Sequence, residues 1–302
     1  PSGVAAIGFG AFQDCTNLKS INLPRGVTEI GAGAFRNCSN LQSINIPDNV
    51  TKIGKGSFWN CTNLKSINLP DNITIIEDYA FLNCTNLQSI NLPDNVTEIG
   101  CGTFEVCTSL QSITIPDSVT QIRRETFKDC TNLQSINLPD SITIIEDYAF
   151  FYCTNLQSIN LPNNITEIGF LAFSNCSMLQ SINIPNNLTK IEKYMFEHCE
   201  NVKNIKLQRN ITEIKEHAFD YCLNLQSLIV ECDIQKIENG AFRHCPKLDT
   251  IIVSENIVYT DLNKICEQIQ NDNETKAFFK ENNYFGYDPK SIIFFKQGEL
   301  PM

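Results

Sequence analysis

Eleven cysteines recur at a fixed interval of 23 residues, from Cys15, Cys38 and Cys61 through Cys222 to Cys245, with no insertion or deletion between them. A period in the range of roughly 20–50 residues, held this strictly, marks a solenoid in which each unit packs only on its neighbours. The rest of the unit keeps the same register. A phenylalanine stands three residues before each of these cysteines, from Phe12 to Phe242, and a leucine three residues after it, with Val202 the one exception. Ile21, Leu23, Pro24, Val27 and Ile30 follow, and return as Ile44, Ile46, Pro47, Val50 and Ile53. The unit reads A-F-x-x-C-x-x-L-x-S-I-x-L-P-x-x-V-T-x-I-G-x-x.

Three pieces of local structure are expected from that string. Phe12, Cys15 and Leu18 are spaced i, i+3, i+6, which predicts a short helical turn with all three on one side. Ile21 and Leu23 alternate with Ser20 and Asn22, the period-2 pattern of a strand with one buried face. Pro24 cannot donate to a ladder, so it ends that strand and opens a turn. Val27 and Ile30 then flank a second, shorter extended piece, and Gly31, Gly54, Gly100 and Gly169 suit the bend that follows. No single unit can bury its apolar face alone. Stacked about 4.8 Å apart, the coils place Phe on Phe and Ile on Ile in a body on the order of 50 Å long.

The string L-x-x-I-x-L-P-x-x-V-x-x-I-G-x-x-A-F-x-x-C closely resembles the 23-residue leucine-rich repeat of the BspA-like (Treponema pallidum type) class, over residues 1 to about 254. Asn49, Asn72, Asn95, Asn164, Asn187 and Asn210 stand at the ninth position, where leucine-rich repeats carry Asn or Cys. The next apolar residue arrives at position ten (Val50, Ile73) rather than eleven, as in that class. The resemblance implies a repeat solenoid of the α/β leucine-rich repeat kind. It would be a right-handed superhelix with one parallel strand and one short helical turn per coil, spanning residues 1–254 in about eleven coils. It also implies adhesion, in microbes that attach to hosts or to each other.

After about residue 254 the period fails. Asp261 is placed to cap a helix carrying Leu262, Ile265, Cys266 and Ile269, a second helix is expected over Glu274–Glu281, and Ile292–Phe295 reads as a strand. Residues 255–302 are therefore expected to form the C-terminal cap that such arrays require. Pro1 falls on the repeat proline, so further coils or a cap are expected before it.

The net charge of −11 argues against nucleic acid and anionic membranes, and no apolar run is long enough for membrane insertion within this chain. The register cysteines point the same way in every coil, which suits small apolar thiols filling a core column better than bridges. Cys101, Cys232 and Cys266 lie off register and are the candidate free or reactive thiols. No C-x-x-C or other zinc spacing, nucleophile elbow or phosphate loop occurs, so neither catalysis nor a cofactor or metal is expected. The acidic pairs Glu77-Asp78 and Glu146-Asp147 lie 69 residues apart. At three coils, or about 14 Å, they are too far apart for a glycosidase pair and read as a duplication.

Function must then come from the surface. Gln, Ser and Asn form uniform rows beside the strand, as in Gln42, Ser43 and Asn45, suited to solubility or to an extended glycan or peptide. Variation concentrates in the two residues before each cysteine and the three before each Ala-Phe. There stand Trp59, Tyr79, Tyr148, Phe151, Tyr152, Tyr194 and Tyr221, the candidate partner-binding residues. The same rings would equally serve to cover the turns of adjacent coils. Two functions remain open. One is a cell-surface or secreted protein binding a protein ligand, such as extracellular matrix or another cell surface, or a glycan; the other is an intracellular scaffold. Sequons such as Asn49-Val50-Thr51, Asn72-Ile73-Thr74 and Asn187-Leu188-Thr189 would be glycosylated in a eukaryotic secretory route.

Overall fold

Successive units close into coils of a parallel β-solenoid of about eleven turns, and the computed structural model describes residues 3–232, 234–253 and 293–296. Each coil contributes two short strands. Ser20, Ile21 and Asn22 lie opposite Ser43, Ile44 and Asn45, and the return strand Ala6–Ile7 lies opposite Glu29–Ile30. A register offset of one whole repeat is what equal coil length dictates. Toward the C-terminus the strands lengthen to four residues, at Asn204–Leu207, Ser227–Val230 and Thr250–Val253. Ile293–Lys296 pairs in parallel with the last of these, so the strand expected near Ile292–Phe295 is present. The two helices expected between Asp261 and Glu281 lie outside the described residues.

The expected helical turn is not there: among the described residues no helix occurs. The stretch from Gly31 to Leu41 instead alternates its amides. Gly33, Phe35 and Asn37 donate to the carbonyls of Lys55, Ser57 and Trp59 in the next coil, while Ala34, Arg36 and Cys38 donate three residues back. An α-helix would turn every amide along its own axis and leave the neighbouring coil's carbonyls without donors. The alternation needs left-handed backbone at two positions per coil, seen at Gly33 (φ 61) and Asn37 (φ 61) and repeated every coil. Asn and Asp tolerate that region, but Tyr79, Val106, Tyr148 and Leu171 occupy it too. For such residues left-handed geometry costs roughly 1–2 kcal/mol, and the inter-coil ladder overrides it.

The core runs as columns. Eleven phenylalanines from Phe12 to Phe242 stack with centroids 5.1–5.7 Å apart and planes within 13° of parallel. Phe35 to Phe242 are essentially inaccessible, together with the Leu, Ile and Val columns around them. Beyond Cys15, which is exposed in the first coil, the register cysteines fill a buried column as expected, and the thiol has a further use. Each of these donates to the phenylalanine carbonyl of the preceding coil, from Cys38 to Phe12 at 3.0 Å through Cys245 to Phe219 at 3.2 Å. A small side chain with one weak donor satisfies that buried carbonyl without a void.

The glycines after the return strand serve close approach rather than a bend. A Cβ at Gly54 would meet the Ile30 carbonyl oxygen at 2.5 Å, and neither Gly31 nor Gly54 has a positive φ. Where Glu replaces that glycine, the carboxylate is put to use. Glu77 accepts the Lys55 amide and Glu146 the Arg124 amide, each at 2.8 Å. Their neighbours Asp78 and Asp147 accept the amides of Cys101 and Phe170. Both acidic pairs are thus backbone acceptors, in keeping with duplication.

Replacing Phe150 by Ala in mid-stack is expected to cost about 3–5 kcal/mol in chemical denaturation; a midpoint equal to the parent's would contradict its place in the core. A second expectation concerns pH. Burial pushes the register thiols up, Cys38 to about 11 and Cys107 to about 12; Cys15 adds to the rise at Cys38, and a backbone hydrogen bond opposes it at both. The folded state therefore keeps its protons where an unfolded thiol ionises near 8.5. Their stabilisation is complete below about pH 8.5 and is lost as pH rises toward about 11–12, by up to ~1.4 kcal/mol per pH unit for each thiol. Urea midpoints under reducing conditions at about pH 7 and about pH 10 check this, and an unchanged midpoint would refute it.

Candidate binding surface

Stacking equal coils turns every exposed position into a row. The face carrying Ser43, Asn45 and their repeats is exposed and chemically uniform. Five asparagines of the ninth position donate Nδ2 to the preceding coil, Asn49 to Arg25 O at 2.9 Å, Asn72 to Asp48 O at 2.7 Å, and Asn95, Asn164 and Asn210 likewise. At the Asn49 and Asn72 sequons the nitrogen that a glycan would take is therefore already engaged. Just before the cysteines a second ladder climbs from Asp14 through Asn37 and Asn60 to Asn83, each amide donating to the previous carboxylate or amide oxygen at 2.7 Å.

The turn edge is where the rows break. The left-handed backbone positions aim side chains across the edge, and the sequence-based candidates gather there in three groups. In the first, the Arg36 guanidinium lies 4.0 Å over the Trp59 ring, Tyr79 stands 6.4 Å from that ring, and Lys55 lies 5.7 Å over Tyr79. Burial raises the Tyr79 phenol above its ordinary value, with the carboxylates of Glu125 and Glu105 contributing. These groups border a trough of about 190 Å³ floored by Gly33 and Gly56.

The second group is larger. Tyr148 meets Phe151 and Phe170 edge to face at 5.6 and 5.3 Å, Phe151 meets Tyr152 at 4.7 Å, and Phe170 meets Tyr194 at 5.9 Å. Arg124 covers Tyr148 at 5.5 Å and pairs with Glu125, and Lys193 pairs with Glu216 while lying 5.0 Å over Tyr194. Tyr152 is 42% exposed, whereas Tyr148, Phe151 and Tyr194 are half-buried on neighbouring coils. A shallow hollow of about 410 Å³ opens between Phe151, Tyr152, Tyr194 and His198. Phe170 belongs with the predicted residues and joins Tyr148 to Tyr194.

The third group holds Tyr221 and was not foreseen as a unit. All three histidines of the chain meet here. His198 and His244 stack on opposite sides of Tyr221 at 4.4 and 4.0 Å, and the Asp220 carboxylate takes His217 Nδ1 at 2.9 Å and His244 Nδ1 at 2.8 Å. Sequence spacing links His198 to His244 but not His217, which stands in the left-handed row. Asp220 and His244 are buried, so this group braces the edge rather than facing a ligand. Of the off-register thiols, Cys101 is half-buried and its ionisation suppressed by burial, with Asp78 and Glu146 adding to it; Cys232 is buried, which corrects its reading as a reactive thiol; Cys266 lies outside the described residues. Among the described residues no cluster of His, Cys, Asp and Glu suits a metal ion, and no helix is long and apolar enough to cross a membrane.

A parallel solenoid of 23-residue coils with an asparagine ladder and a uniform strand face defines a leucine-rich repeat protein. The family model for the BspA type leucine rich repeat region matches six copies across residues 1–107, 74–200, 120–249 and 172–269, and the chain belongs to that family. Among solved structures it is similar to a leucine-rich repeat protein from Bacteroides ovatus, at 29% identity over 89% of this chain and 86% of that one, with a TM-score of 0.66. A leucine-rich repeat protein from Eubacterium ventriosum matches at 22% identity over 81% of each chain, TM-score 0.52. The T. pallidum leucine-rich repeat protein matches at 28% identity over 59% of this chain and 75% of that one, TM-score 0.49. Comparison with curated proteins gives no match.

Replacing Asp220 by Ala strands two imidazoles, one of them buried, and is expected to cost about 1–3 kcal/mol of stability in urea unfolding. A variant as stable as the parent would show that the histidine group does not brace the edge.

Proposed function

We propose that this chain is a non-enzymatic binding protein, acting at a cell surface or after secretion in adhesion, which grips a protein ligand along its turn edge. The observation that carries the reading is the second aromatic group, Tyr148, Phe151, Tyr152, Phe170 and Tyr194, gathered beside an open hollow on an otherwise polar repeat. Aromatic rings with flanking Arg and Lys are what protein interfaces favour, and rings already braced by neighbours lose little freedom on binding. The surface location follows the BspA-type resemblance. The strand face, uniform in Gln, Ser and Asn, offers little to discriminate one partner from another and suits a glycan better than a protein. Residues 255–302 are proposed as the cap, the pairing of Ile293–Lys296 with the last coil supporting it.

One observation favours a second reading, an intracellular scaffold: the register cysteines stay as thiols, a state that reducing compartments maintain. An antibody that labels intact cells of the source organism supports the surface reading, and labelling only after permeabilisation overturns it. For the edge itself, changing Phe151 and Tyr152 together to Ser is expected to weaken solid-phase binding to extracellular-matrix protein roughly thirtyfold or more. Unaltered binding by a variant that melts like the parent would remove this patch from the interface.

A further inference from the structure

The left-handed row that ends each coil's first bend carries rings at Tyr79, Tyr148, Tyr194 and His217, but glycine at Gly10, Gly33 and Gly56 in three consecutive coils. Two other glycines in the row are roofed over. A Cβ at Gly102 would meet the Tyr79 ring at 2.4 Å, and one at Gly240 the His217 ring at 2.7 Å. At Gly33 nothing comes nearer than 3.8 Å. The run of glycines therefore leaves a channel in the edge, walled by Trp59 and Tyr79 and rimmed by Arg36 and Lys55.

Arg36 is the unusual member. Its guanidinium carbon lies 4.0 Å over the Trp59 ring, and among the described residues its Nε is buried without a hydrogen-bond partner and no carboxylate forms an ion pair with it. By contrast Arg123 pairs with Glu98 and Arg124 with Glu125. Asp14, one coil before, is hydrogen-bonded by Asn37 and Gln13 and feels the Arg36 charge without pairing with it. A guanidinium held over a ring without an ion-paired carboxylate has its two terminal nitrogens available for a bidentate carboxylate. Lys55, 3.6 Å from Asp78 and largely exposed, places a second cation on the opposite rim. A chain of net charge −11 thus presents one corner where two cations flank apolar walls, Lys55 beside Asp78 and Arg36 without a hydrogen-bonded carboxylate among the described residues.

Size decides the kind of occupant. The channel of about 190 Å³ falls below the roughly 300–1,000 Å³ of small-molecule sites, so it admits one side chain rather than a whole ligand. We propose that the Gly33–Gly56 channel anchors an acidic segment of a partner protein, with one apolar side chain between Trp59 and Tyr79 and an adjacent Asp or Glu carboxylate on the edge of Arg36. This deepens the protein-binding reading and rests on it, yet uses different residues from the Phe151–Tyr152 patch.

Trp59 is the only tryptophan, so its emission reports the channel directly. The test titrates the full chain with acetyl-Leu-Phe-Glu-amide, with its Gln counterpart, with acetyl-Ala-Ala-Glu-amide and with free glucuronate. The Glu peptide is expected to shift the emission saturably, and each of the other three to bind at least about tenfold more weakly. Arg36→Gln removes the Glu-over-Gln preference. Gly33→Asn, which keeps a residue that tolerates left-handed backbone, fills the channel and weakens the Glu peptide by a similar factor while the melting curve stays that of the parent. No saturable shift at millimolar Glu peptide, equal binding of the Glu and Gln peptides, or an Arg36→Gln variant that retains the preference overturns the anchor. Glucuronate binding as tightly as the Glu peptide overturns the protein occupant in favour of an acidic sugar. A Phe151→Ser/Tyr152→Ser variant that loses matrix binding but keeps the peptide titration separates this site from the larger patch.

Discussion

Everything in this molecule depends on the amide alternation that ties one coil to the next. Phe35 donates across to Ser57 while Cys38 donates back to Phe35, and the same pairing recurs at the same offset in coil after coil. The offset tolerates no variation. A coil one residue longer would exchange the amides that cross with those that turn back, and would move Phe from the core row to the edge row. Constant length is thus a condition of hydrogen bonding first, and of packing second. Once it holds, the phenylalanines meet face over face at 5.1–5.7 Å without further instruction.

The same geometry restricts the surface. Any charge repeated in every coil would stand about 5 Å from its own kind, which is destabilising. The chain answers in two ways. Along the return strands, Glu29, Lys52, Glu98, Glu167, Lys190, Glu213 and Lys236 change sign or are interrupted by Ile and Gln, and ion pairs such as Lys52–Glu77, Arg123–Glu98 and Lys236–Glu213 run between coils. Elsewhere it uses side chains that both donate and accept, so that like can stack on like: the ladder from Asp14 to Asn83 begins with an acceptor and continues in amides. A surface built this way is stable and nearly featureless. Chemical variety is left to the few positions per coil that neither the ladder nor the core demands.

Much of this is legible in the string of residues, and the exceptions have a common cause. The columns of Phe, Cys, Leu and Ile follow from period alone, as do both strands, because burial repeats with the chain. The helical turn does not follow, since Phe12, Cys15 and Leu18 at i, i+3, i+6 fit an α-helix and a chain of three-residue turns equally well. What separates the two is backbone sign, and its trace lies in the exceptions rather than the consensus. Gly10, Gly33, Gly56, Gly102 and Gly240 share a register with Tyr79 and Tyr148, and Asn37, Asn60 and Asn83 share one with Asp14 and Asp129. Glycine and asparagine recurring at fixed places mark left-handed backbone, and two such places within one turn exclude a helix. The candidate aromatics were legible by their variability. Their grouping was not, because Phe170 and His217 matter through contacts between coils that spacing alone does not rank.

A repeat scaffold can acquire a site by addition or by subtraction, and the two proposed sites on this edge would illustrate both. Around Tyr148 and Phe151 the edge adds rings until they support one another, with Tyr152 the exposed member. Around Gly33 and Gly56 it removes side chains from a row that elsewhere bears them, and the backbone conformation makes that removal the unstrained choice. Subtraction has a consequence that addition lacks. The neighbouring Arg36 and Trp59 pack on each other across the gap, leaving the guanidinium Nε without a hydrogen-bond partner among the described residues. Arg123 and Arg124 on the same edge find carboxylates in the preceding coil and in the next residue, so it is the loss of side chains around Gly33 and Gly56 that sets Arg36 apart, and the proposed anchor draws on that difference.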